Sequence, residues 1–241
     1  MKILEKLVRG SWQRKTRFRD EKNNPILIYD LRFIFSAAYE FIRLKLHIPS
    51  HLPIINYSAI KIFKTLTKHK KLKVLEFGSG RSTLWWLKQN ILELVSIEND
   101  KNWHSKMSQL VNSKNEKFRY LYNTDTLNYC SPVGNEKFDL IIADGMWRDE
   151  CLKNSVINNC HNETVIYLDD SDKDSTVDDA YKTYPDHNRF CDNFLRNWSM
   201  NNDRYVLAVR NFSPTQLFVK EGTFSIPRTK EMKQQLSKFI F

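Results

Sequence analysis

Lys73-Val-Leu-Glu-Phe-Gly-Ser-Gly-Arg-Ser-Thr83, with Leu84-Trp-Trp-Leu87 behind it, is the most informative stretch of this 241-residue chain. Lys73 to Phe77 is a short apolar run between a basic cluster and two glycines, which is how a parallel strand buried on both faces reads. Gly78 and Gly80 allow a sharp turn and a close ligand approach, and Ser82 and Thr83 can cap the helix that follows. This strand, turn and helix would set an anion-favouring helix N-terminus at the carboxyl edge of a sheet.

The residues around the glycines select the ligand. A dinucleotide fingerprint needs a third glycine where this chain has Thr83, so a pyrophosphate is disfavoured. Glu76 would repel a pyrophosphate but suits a ligand with an ammonium group, which describes S-adenosylmethionine. Glu98 closes the apolar run Leu94 to Glu98 about twenty residues after the glycines, where an acid accepts both ribose hydroxyls of a nucleoside.

Four segments occur in order: Glu76-Phe-Gly-Ser-Gly-Arg-Ser-Thr83, Val95-Ser-Ile-Glu-Asn-Asp100, Asp139-Leu-Ile-Ile-Ala-Asp-Gly145 and Tyr167-Leu-Asp-Asp-Ser-Asp172. Together they resemble the strand-end motifs of class I S-adenosylmethionine-dependent methyltransferases, across residues 55 to 220. The resemblance implies a Rossmann-like α/β fold: a seven-stranded, mostly parallel sheet with helices on both faces, closed by an antiparallel hairpin. It implies cofactor contacts from Glu76, Gly78, Ser79, Gly80, Ser82, Thr83, Glu98, Asn99, Asp125 and Asp144. Ser82 replaces the third glycine of many such turns. Asp125 reads equally as a turn former.

Leu52-Pro-Ile-Ile-Asn-Tyr-Ser-Ala-Ile60 resembles the lead-in of a bacterial methyltransferase group, in which it closes over the cofactor. Tyr57 and Ser58 are candidates for that contact, with a helix cap the other reading of Ser58. Asp144-Gly145 on one strand and Asp169-Asp170 on the next resemble macrolide-sugar O-methyltransferases. That likeness implies Asp144 and Asp169 as catalytic groups and Asp144, Asp169 and Asp170 as magnesium ligands. Loop capping by these acids is the competing reading. Asp172 and Asp174 add to the same acidic edge.

Hydrophobic content of 41% and charged content of 27% are those of an ordinary globular protein. No signal peptide or membrane-spanning run is evident, so a cytoplasmic location is expected, with peripheral membrane contact the extension of it. Cys130, Cys151, Cys160 and Cys191 lack metal-site spacing and read as reduced, packed thiols. The net charge of +10 is uneven: residues 1–73 hold 17 Lys and Arg against 5 Asp and Glu, and the rest hold 21 against 23. A basic appendage on a near-neutral body points to phosphates or an anionic membrane surface.

Residues 1–50 are expected as a basic helical extension, with Arg9, Arg14, Lys15, Arg17 and Arg19 in its arm, and residues 51–241 as the methyltransferase domain. Apolar residues at 27, 28, 31, 34, 35, 38, 41 and 42 predict a helix burying one stripe. Trp103 reads as core or as an edge for adenine, and His104 as a surface residue. Residues 173–203, with Tyr181, Tyr184, Phe190, Phe194 and Trp198, read as an insertion for acceptor contacts or as packing over the sheet. Tyr205 to Val209 and Gln216 to Lys220 read as the last strands, and Thr229 to Phe241 as a closing helix.

The functional expectation is O-methylation of a sugar, glycan or other small polar hydroxyl acceptor by a carboxylate base or with metal assistance. Two alternatives remain open: an RNA methyltransferase gripping through the basic N-terminus, and a non-catalytic binding protein on the same fold. Nucleic acid is the weaker partner, because Asp144-Gly-Met-Trp147 stands where amino-methylating nucleic-acid enzymes carry a proline-aromatic box.

Overall fold

The computed structural model describes residue 9 and residues 15–48, 50, 52–111, 116–173, 187–214 and 217–240. Arg14, Asp174, Tyr181, Tyr184 and the side chain of Phe190 lie outside the described residues.

Seven strands form one sheet: β1 Leu72–Phe77, β2 Ile91–Glu98, β3 Phe118–Tyr122, β4 Phe138–Ala143, β5 Cys160–Leu168, β6 Arg204–Phe212 and β7 Val219–Pro227. Their order is β3-β2-β1-β4-β5-β7-β6. The first five run parallel, and β7 pairs antiparallel with both β5 and β6. The expected mostly parallel sheet with its closing hairpin is what forms. Strand order reverses between β1 and β4, and a crevice for ligands opens at the carboxyl ends of strands at such a reversal.

Two apolar layers clamp the sheet. On one side Phe63, Trp86, Leu140, Tyr167 and Phe224 pack beneath the helices Tyr57–His69 and Lys230–Ile240. On the other, Phe77, Tyr129, Ile141, Leu152 and Leu195 pack beneath the helices Thr126–Cys130, Arg148–Asn158 and His187–Asn201. The parallel strands β1 and β4 are accordingly buried along nearly their whole length, because both faces are covered.

The last strand begins later and runs further than expected, from Val219 to Pro227 in place of Gln216 to Lys220. Glu221 and Gly222 follow the expected strand in sequence, but both are inside the observed one. Gly222 makes room for the Tyr167 ring, which a Cβ there would strike, and Glu221 is paired by Arg210 and Lys22.

The N-terminal region folds onto this body. A 3₁₀ turn, Ile28–Arg32, leads into the helix Phe33–Lys45, whose Ala37 packs with Tyr57, Phe212 and Val219. Residues ahead of it form a strap. Asp20 pairs with Arg210, Lys22 pairs with Asp192 and Glu221, and the Glu21 amide donates to Asp172 at 3.0 Å. The stripe expected to be buried is instead largely outside: Leu27, Ile28, Leu31, Phe35 and Ile42 are exposed, and of it Ile34 packs inward. The helix turns Phe33, Ile34 and Ala37 inward because Tyr57 stacks on Phe33 at 5.2 Å between ring centres.

Candidate functional site

The glycine turn is held from below by a fully buried carboxylate. Glu76 accepts from the Thr83 hydroxyl at 2.6 Å and the Ser96 hydroxyl at 2.7 Å, and Thr83 in turn accepts from the Gly80 amide at 2.9 Å. The other oxygen of Glu76 is buried without a hydrogen-bond partner among the described residues. Burial pushes the Glu76 carboxyl up to about 7, with Glu98 adding to it against the hydroxyl bonds. Ser82 and Thr83 lie buried in the first turn of the helix Arg81–Trp86.

Gly78 adopts φ +92°, a region that side chains disfavour, and its amide donates to Ile97 across to β2. Gly80 is different. A Cβ there would meet nothing within 4 Å, so the backbone faces open space.

Glu98 closes the ring around the turn. Its Oε2 accepts from the Ser79 amide at 3.2 Å and hydroxyl at 2.8 Å, and its Oε1 accepts from the Asn99 and Asp100 amides at 2.8 and 2.9 Å. Tyr120, in the middle of β3, shares the Ser79 hydroxyl at 2.6 Å, and burial pushes its phenol up to about 12. The indole of Trp103 donates to the Ser79 carbonyl at 2.9 Å and is 37% exposed, so Trp103 is no core residue. His104 is half-buried and stacks on Tyr120 at 4.1 Å, which replaces the plain surface reading. Sequence reasoning missed Tyr120; its place two residues before the strand end was the available signal.

Asp125 caps the helix Thr126–Cys130, and both of its oxygens accept from Asn128. Asn56, not Ser58, caps the helix Tyr57–His69, accepting from the Ala59 amide. Ser58 accepts from Asn211 instead. The lead-in does reach the carboxyl edge of the sheet, where the Ile54 carbonyl meets Lys220.

The acids at the ends of β4 and β5 gather as expected: Asp144, Asp169 and Asp170 bring carboxylate oxygens within 4.8 Å of one another. Three cations meet them. Lys220 lies 2.7 Å from Asp169 and 2.8 Å from Asp170, Lys173 lies 2.7 Å from Asp170, and Arg148 lies 3.3 Å from Asp144. Asp169 is wholly enclosed, its second oxygen taking the Tyr167 hydroxyl at 2.7 Å. Asp170 resists the upward push of burial, because Lys173 and Lys220 hold it well below the usual carboxylate range. Asp144 alone opens outward, its side chain 25% exposed, and burial with the Asp169 charge holds it well above that range.

This donor set does not fit magnesium. A divalent ion would have to displace the Lys220 ammonium, whose place between Asp169 and Asp170 is already that of a cation, and then repel Arg148 and Lys173. Lys220 carried no sequence signal, being 51 residues from Asp169. Arg148 was equally hidden, although its guanidinium ties the Gly145 carbonyl to the Asp169 carbonyl.

Of the aromatics in residues 173–203, Phe194 and Trp198 pack against the core beneath the helix His187–Asn201. The cysteines are free thiols, with Cys130 and Cys151 buried side by side.

No protein-family model and no curated protein matches the chain. Solved structures do match. The O-methyltransferase TomG from Streptomyces achromogenes, in complex with S-adenosylmethionine, shares 14% identity at a TM-score of 0.54, covering 83% of this chain and 96% of that one. An O-methyltransferase from Bacillus cereus in complex with S-adenosylhomocysteine shares 13% at 0.56, covering 83% and 97%. An O-methyltransferase-like structure from Klebsiella pneumoniae shares 15% at 0.55, covering 85% and 92%. At these identities the likeness is one of fold.

Proposed function

We propose that this chain, which has the class I methyltransferase fold, transfers the methyl group of S-adenosylmethionine to a hydroxyl of a small polar acceptor such as a sugar. The observation that carries the reading is Asp144, a partly open carboxylate of raised pKa placed beside the glycine turn where strand order reverses. When bound, S-adenosylmethionine supplies an electrophilic methyl group on a sulfonium.

The chain's residues fit that ligand. Glu98 would accept ribose hydroxyls in exchange for the bonds it now takes from Ser79, with Tyr120 beside it, and Trp103 offers an indole edge. The open face of Gly80 gives room for the amino-acid part. Glu76 sets negative potential beneath it and fixes the turn through Thr83. Asp144 takes the proton of the acceptor hydroxyl, and burial with the neighbouring Asp169 charge makes its carboxylate more basic than an ordinary one. Arg148 orients Asp144, while Asp169, locked by Lys220 and Tyr167, is a positioning residue.

Transfer of label from methyl-labelled cofactor into a panel of sugar nucleotides, oligosaccharides, RNA and protein tests the reading. Label is expected in a hydroxylic small molecule, and Asp144→Asn should slow it by roughly 10²–10⁴. Label confined to RNA or protein, or full activity in Asp144→Asn, would overturn it.

A further inference from the structure

A second surface lies outside the strand-end site. Ile28, Leu31, Phe35, Tyr39, Ile42 and Leu46 recur every three or four residues, so they share one face of the turn and helix from residue 28 to residue 46. All are exposed, from 39% at Leu31 to 86% at Ile28. Single exposed apolar side chains are ordinary on a protein surface, but an unbroken stripe of large ones marks an interaction site.

Beside it runs a groove of about 610 Å³ between the helices Tyr57–His69 and Lys230–Ile240. Arg32, Lys61, Lys64, Lys68 and Lys238 line it, and no Asp or Glu does so among the described residues. Arg32 joins the two features, because it lines the groove and directly follows Leu31 in the chain.

The combination discriminates between occupants. A second copy of the chain would cover the stripe but bring two sets of lysines together, and a nucleic acid would satisfy the lysines but not the apolar side chains. An anionic bilayer satisfies both, taking the apolar face into the boundary between headgroups and acyl chains and the lysines onto lipid phosphates. We infer that this face docks the protein on an anionic lipid surface, with the helix Phe33–Lys45 lying in its plane. No helix among the described residues is long and apolar enough to cross a membrane. The inner side of that helix packs on Phe212 and Val219, and Val219 is next to Lys220, so docking would hold the mouth beside Asp144 close to the lipid. The inference does not depend on methyl transfer.

Flotation of the full chain with vesicles tests it, comparing phosphatidylcholine alone with phosphatidylcholine mixed with phosphatidylserine. Binding is expected to the mixed vesicles and to weaken with salt. Lys64→Glu with Lys68→Glu should lower partition at least about twentyfold, since each basic residue near an anionic surface is worth roughly fivefold. Phe35→Glu with Ile42→Glu, at exposed sites, should abolish flotation while melting temperature and S-adenosylmethionine affinity stay unchanged. Equal binding to both vesicle types, or none, would overturn the inference. So would a dimer in sedimentation that Phe35→Glu with Ile42→Glu dissolves, or RNA binding without vesicle binding.

Discussion

Gly78 and Gly145 meet backbone to backbone: a Cβ added to Gly78 would lie 2.6 Å from the Gly145 Cα, and one added to Gly145 would lie 2.7 Å from the Gly78 nitrogen. The contact joins the ends of β1 and β4 where strand order reverses, so it fixes the width of the crevice there. Gly78→Ala combines this clash with a left-handed backbone that costs about 1–2 kcal/mol, and a fall in melting temperature of roughly 4 °C or more is expected. Gly80→Ala has open space and an extended φ of 177°, so its melt should match wild type while cofactor affinity falls. The reverse ranking in thermal melts would count against this geometry.

Glu98 links the cofactor site to the loop that forms it. Removing a charged acceptor costs on the order of 1.5–3 kcal/mol, so Glu98→Ala should weaken S-adenosylmethionine binding roughly tenfold to a hundredfold. Calorimetry on Glu98→Ala and Tyr120→Phe separates the carboxylate from the shared Ser79 hydroxyl. Unchanged affinity in Glu98→Ala would remove Glu98 from the site.

Lys220→Met leaves Asp169 and Asp170 buried without their shared cation, a change expected to cost about 3–5 kcal/mol at neutral pH. Acid should narrow the gap to wild type, because protonation removes the unpaired charge. Urea unfolding at two pH values reads both effects. Wild-type turnover is expected to survive a chelator, and activity lost to chelation and restored by magnesium would displace the lysine from its role.

Glu76 makes a pH prediction of defined sign. Its folded pKa of about 7 lies above the ordinary value of 4.5, so the folded state holds its proton more tightly than the unfolded state. The stability this provides is complete below about pH 4.5 and is lost as pH rises to about 7, a difference of up to about 3 kcal/mol. Glu76→Gln should therefore gain on wild type between about pH 5 and about pH 8. A parallel offset at every pH in urea melts would refute the assignment.

Much of this arrangement was legible because the signals are local. The run ending in Phe77, the glycines and the strand ends at Glu98 and Asp144 each lie within a few residues of the feature they create. The last strand runs past its expected end because Gly222 and Glu221 take their places from Tyr167 and Arg210, far away in the chain. The exposed stripe from Ile28 to Leu46 misled for another reason. Periodicity shows that a helix has an apolar face, but the direction in which it turns is set by its partners, here Tyr57, Phe212 and Val219. Lys220 was invisible because a lone lysine in a strand announces nothing until the fold brings acids to it.

The long reach of these contacts also sets an order of events. Asp20 meets Arg210 across 190 positions, Lys22 meets Glu221 across 199, and Lys220 meets Ile54 across 166. Contacts so distant in the chain carry the largest closure entropy and form late. During synthesis at 5–20 residues per second, Asp169 emerges roughly 3–10 s before Lys220, and for that interval its carboxylate has water as its counterpart. The half of the crevice built from Gly78 and Glu98 can mature during this wait, and the acidic half is sealed by the final strand.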